Sequence, residues 1–79
     1  MPVPKTIDPM TILIREGTAG DTFYILAAGE VRVTRGQGET IRELTIGDYF
    51  GEQALLKTDV RTANVIAQTA VECLTLDRE

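Results

Sequence analysis

Apolar and polar positions alternate with a period of two through the middle of the chain. In Glu30-Val31-Arg32-Val33-Thr34-Arg35, Val31 and Val33 fall on one face and Arg32 on the other. That pattern predicts a half-buried antiparallel strand. Thr40-Ile41-Arg42-Glu43-Leu44 returns as its partner across the glycine-bearing loop Gly36-Gln37-Gly38-Glu39. Shorter β-branched and aromatic runs predict further strands at 11–14, 22–28, 62–67 and 71–76. Glycine-bearing segments at 15–21, 29–30 and 46–48 separate them as turns.

Roughly six or seven short strands at close spacing predict a mainly β fold, a small antiparallel β-barrel or jelly roll. One stretch breaks the pattern. Glu52-Gln53-Ala54-Leu55-Leu56-Lys57 consists of good helix formers without a β-branched residue, so one short helix is expected just after Gly51. Residues 1–10 hold all three prolines and read as an irregular lead-in. The barrel is assigned to 11–79. The chain stops directly after a strand, from which a continuation is expected.

Composition narrows the function classes. One cysteine, Cys73, excludes an internal disulfide, and with no histidine a zinc site is disfavoured. A single thiol suits a reducing, cytoplasmic compartment. A net charge of −4 argues against a nucleic-acid polymer, which requires a basic face. It does not argue against one small phosphate held by one arginine. No apolar run approaches the ~18 residues of a membrane span, so no membrane partner is expected. No nucleophile–base pair is apparent, so no catalytic residue is assigned, and no cofactor or metal.

The chemistry concentrates between Phe50 and Ala63. Gly51 lets a ligand approach the main chain, and the first turn after it, with Ala54 and Leu55, presents backbone N–H groups suited to an anion. Arg61 can clamp two phosphate oxygens. Glu52 is wrong for phosphate alone but right for a ligand that also offers a hydroxyl, such as a ribose 2′-OH. Residue by residue, plainer readings stay open: a turn and helix start, a solvated arginine, an ordinary strand threonine at Thr62.

The motif Phe50-Gly51-Glu52-x-Ala54-Leu55, followed by Arg61-Thr62-Ala63, resembles the phosphate-binding cassette of the cyclic nucleotide-binding domain family. The glycine turn Gly20-Asp21-Thr22-Phe23-Tyr24 and the run Gly47-Asp48-Tyr49-Phe50-Gly51-Glu52 are similar to that family too. Within it, Asp59-Val60-Arg61-Thr62-Ala63-Asn64-Val65-Ile66-Ala67 looks most like the second nucleotide site of cGMP-dependent protein kinases.

The resemblance implies that Glu52 accepts from the ribose 2′-OH, that Arg61 binds the cyclic phosphate, and that main-chain groups at Gly51, Ala54 and Leu55 complete the pocket. It implies that Thr62 accepts from the guanine 2-amino group and that Arg42 faces the guanine edge. The ligand expected is therefore cGMP, with cAMP as the alternative, in the ligand-sensing module of a cGMP-dependent serine/threonine protein kinase. The rival is a cAMP-binding module of a kinase or transcription regulator. A cupin-like metalloenzyme barrel is disfavoured by the missing histidines. Against the family pattern, the hairpin at 36–38 is short, and the flanking hinge and lid helices are expected to be truncated. The barrel face they cover is then expected to be open to self-association, and the kinase domain and hinge helices to be partners in a full-length parent.

Overall fold

The computed structural model describes residues 2–20, 22–51 and 59–77. Ten strands follow in order: β1 (Val3–Ile7), β2 (Ile12–Ile14), β3 (Ala19–Gly20), β4 (Thr22–Ala28), β5 (Val31–Arg35), β6 (Glu39–Leu44), β7 (Tyr49–Phe50), β8 (Asp59–Val60), β9 (Asn64–Ala67) and β10 (Val71–Asp77). Every pairing is antiparallel. They form one sheet in the order β1-β10-β4-β7, a second in the order β2-β9-β5-β6, and the two-stranded ribbon β3-β8. The mainly β, antiparallel architecture is the one the alternation predicted. The helix expected at 52–57 lies outside the described residues. No helix among the described residues is long and apolar enough to cross a membrane.

Both sheets turn one face inward onto a shared core. The first contributes Leu26, Phe50, Val71 and Cys73; the second contributes Ile14, Val31, Leu44, Val65 and Ala67. The period-two pattern explains this directly, since successive residues of a strand face opposite ways. Leu26 is buried while its neighbours Ile25 and Ala27 are exposed. Tyr24 stacks on Phe50 across the β4–β7 pair, with ring centroids 4.8 Å apart.

The lead-in differs from expectation. Val3–Ile7 is a strand, paired with β10 from Val3↔Thr75 to Ile7↔Val71. Its proline is compatible with this because β1 is an edge strand, and an edge strand need not donate on both sides. The buried Thr75 hydroxyl donates to the Val3 carbonyl at 3.2 Å, tying the edge down. The two-residue strand β3 also falls in a stretch read from the sequence as loop, and β8 in a spacer to which no strand was assigned.

The turn before β7 is fixed from two sides. Within it, the Asp48 carboxylate accepts from Thr45 N at 2.9 Å, and Asp48 N donates to the Thr45 carbonyl at 2.9 Å. Outside it, Leu26 N donates to the Asp48 carbonyl and Gly47 N to the Leu26 carbonyl. The chain therefore reaches Gly51 along a defined path.

Candidate functional site

A cleft of about 560 Å³ opens beside the second sheet and is lined by Arg42, Gly51, Arg61 and Thr62 among others. Its floor is one row of residues across that sheet. Ile14 pairs with Val65, Val65 with Val33, and Val33 with Arg42. Paired residues share a face, so the row runs from two buried aliphatics through half-buried Val33 to an exposed arginine. An apolar floor with a polar group at one end suits a flat ring held by its edge.

Arg61 occupies the other end, and its position is specified at both main chain and side chain. β8 pairs with β3 through Ala19↔Val60 and Gly20↔Asp59. The ribbon continues as Arg61 N donates to the Thr18 carbonyl and Gly17 N to the Arg61 carbonyl, each at 2.8 Å. The turn that supplies these groups is closed by Thr18, whose hydroxyl donates to the Arg15 carbonyl at 2.7 Å.

The guanidinium lies in a slot between two glycines. Its Nη2 donates to the Thr22 carbonyl at 2.9 Å. A Cβ on Gly20 would lie 2.5 Å from Arg61 Nε and 2.7 Å from Nη2. A Cβ on Gly51 would lie 3.2 Å from Nη1 and 2.8 Å from the Thr22 carbonyl oxygen. Gly51 also has φ +80°, which a side chain would oppose on its own account. The carbonyl uses one of the five N–H donors a guanidinium carries.

Four residues singled out from the sequence, Arg42, Gly51, Arg61 and Thr62, thus line a single cleft. Thr62 follows Arg61 directly and is exposed. Glu52, Ala54 and Leu55 lie outside the described residues. Two contributors were missed. Arg35 lines the same cleft; the alternation of Val31 and Val33, extended by two, would have flagged it. Gly20 makes room for the guanidinium, and only the three-dimensional approach of β3 and β8 reveals this. Among the described lining residues Arg35, Arg42 and Arg61 outnumber the one carboxylate, Asp48, in a chain whose net charge is −4. The cleft is an anion-attracting patch on an acidic protein.

A family model described as the cyclic nucleotide-binding domain matches residues 4–79. The chain is similar to cGMP-dependent protein kinase, isozyme 1, of Drosophila melanogaster, at 54% identity over 87% of this chain and 10% of the relative. It is 51% identical to human cGMP-dependent protein kinase 2 over 85% of this chain and 10% of the relative. Among solved structures it is similar to a cAMP-bound PfPKA-R, with a TM-score of 0.88, 40% identity, and coverage of 98% of this chain and 27% of that one. The chain spans about a tenth of the length of the kinases it matches.

Proposed function

This chain belongs to the cyclic nucleotide-binding domain family, and we propose that its cleft takes cGMP as the ligand-sensing part of a cGMP-dependent serine/threonine protein kinase. The observation that carries this reading is the polarity of the cleft. A preorganised guanidinium, Arg61, stands at one end and a second arginine, Arg42, at the far end of an apolar floor.

In this reading the cyclic phosphate lies against Arg61 and the Gly51 main chain, where charge-assisted hydrogen bonds are strong. The base lies over Val33 and Val65. Arg42 donates to guanine O6 and N7, whereas adenine would meet it with its N6 donor. The Thr62 hydroxyl accepts from the guanine 2-amino group, which adenine lacks. Glu52, on the family resemblance, accepts from the ribose 2′-OH, and Ala54 and Leu55 add main-chain contacts to the phosphate. The alternative is cAMP. A seat for ribose and phosphate does not sense the base, and the relative with cAMP bound is 40% identical.

The chain works by binding; catalysis belongs to a kinase domain of a full-length parent, coupled through hinge helices. A ligand shifts such a switch only by its differential affinity for the two states. Ile25 and Tyr49, paired on the outer face of the first sheet, are exposed and suit cover by those helices or by a second copy. Sedimentation at rising concentration separates these, since only a second copy gives a dimer of the isolated chain.

The test is calorimetric titration of cGMP into the wild type and Arg61→Ala. Loss of the charged hydrogen bonds predicts weakening by about 1.5–3 kcal/mol. Superimposable isotherms would remove Arg61 from the site.

A further inference from the structure

The hairpin that carries Arg42 is poorly held by packing. β6 is the edge of its sheet, and five of its six residues are exposed; only Leu44, at the end far from the hairpin loop, is buried. A register shift between Val33 and Thr34 loosens the ladder further towards the tip. An arginine on such a support would have to be immobilised at each binding event, at a cost in conformational entropy.

One side chain reaches the tip from elsewhere in the fold. The Glu16 carboxylate Oε1 accepts from Gly36 N at 3.1 Å, at the first residue of the hairpin loop. Glu16 is itself anchored, since its N–H donates to Asn64 Oδ1 at 2.8 Å, and Asn64 Nδ2 lies 3.4 Å from Thr34 Oγ1 on β5. The residues after Glu16, Gly17 and Thr18, hold the Arg61 main chain through two bonds of 2.8 Å. A single turn thus grips the phosphate arginine with its backbone and the base-side hairpin with one carboxylate.

We propose that Glu16 is a positioning residue for base selectivity: it fixes the distance between the Arg61 and Arg42 ends of the cleft by bonding the hairpin tip. It does not touch the ligand. The inference rests on the reading of Arg42 as the group that meets the base. Removing the acceptor frees the tip, so guanine recognition weakens while the phosphate grip, held by main-chain bonds, persists. The acceptor oxygen is what matters, not the charge, so an amide in its place should serve.

The experiment compares wild type, Glu16→Ala and Glu16→Gln by titration with cGMP and with cAMP, together with hydrogen exchange of the Gly36 amide. One lost hydrogen bond predicts that Glu16→Ala lowers cGMP affinity about 2- to 10-fold, with cAMP affinity nearly unchanged and Gly36 exchange accelerated. Glu16→Gln should restore both the selectivity and the Gly36 protection. A merely structural role would lower both affinities in parallel, and that result overturns the proposal. So does a wild-type cGMP preference that survives Glu16→Ala intact. A wild type without any preference overturns the base-side reading, and the inference with it.

Discussion

Gly20→Ala should separate ligand binding from folding. The added Cβ would stand 2.5 Å from Arg61 Nε and 2.7 Å from Nη2. Ordinary contact is about 3.5 Å, so the guanidinium must withdraw by about 1 Å. That stretches its 2.9 Å bond to the Thr22 carbonyl beyond hydrogen-bonding range. The obstructing atoms are the far end of a flexible side chain, so the fold itself need not shift. The lost bond, about 1 kcal/mol, is offset in part by the reduced entropy of the unfolded chain, about 0.4–1 kcal/mol. Stability should therefore stay within about 1 kcal/mol of wild type. The ligand, in contrast, meets a displaced charge, and the loss of charge-assisted bonds predicts affinity lower by about 10- to 100-fold. Gly51→Ala is the control. There the Cβ meets a backbone oxygen at 2.8 Å from a residue with φ +80°, and the left-handed conformation alone costs about 1–2 kcal/mol. Affinity and stability should fall together. The assay is calorimetry with cGMP beside urea unfolding of each variant. A folded Gly20→Ala that binds cGMP like the wild type would refute the idea that the two glycines seat the Arg61 guanidinium for the ligand.

Two further outcomes are expected. Thr62→Ala should reduce the ratio of cGMP to cAMP affinity by weakening cGMP alone in paired titrations; an equal loss for both nucleotides would assign Thr62 a folding role instead. Burial raises the Cys73 thiol above its ordinary value of 9.0, against a smaller downward pull from the Lys5 ammonium paired with it on β1. The folded state then holds the proton longer than the unfolded state. The stabilisation is complete below the unfolded value and is lost as pH rises from there through the folded one. Urea midpoints of wild type relative to Cys73→Ala should thus diverge as pH rises through and above the ordinary thiol value, with wild type losing more; a constant difference would contradict this.

Much of this molecule is legible in its sequence. Val31 and Val33 against Arg32 announce a half-buried strand, and the return strand follows from the loop between them, but Leu44 falls opposite Val31 only through a register shift between Val33 and Thr34 that the loop does not announce. The cleft residues Arg42, Gly51, Arg61 and Thr62 were singled out from residue chemistry and family resemblance, and they share a cleft. Three things resisted. Two-residue strands such as Ala19–Gly20 and Asp59–Val60 are too short to show any period, yet they orient Arg61. The prolines of the first ten residues suggested irregular chain, because whether a strand lies at a sheet edge depends on pairing across some seventy residues. The roles of Gly20 and Glu16 depend on approaches between segments distant in sequence, to which local pattern is blind.

The central claim is that the cleft binds a cyclic nucleotide and prefers guanine. Titrating cGMP and cAMP into one preparation of the wild-type chain tests it most directly. Binding of both with cGMP the tighter is the result expected from Arg61 and Thr62 at one end and Arg42 at the other; equal or reversed affinities would contradict it.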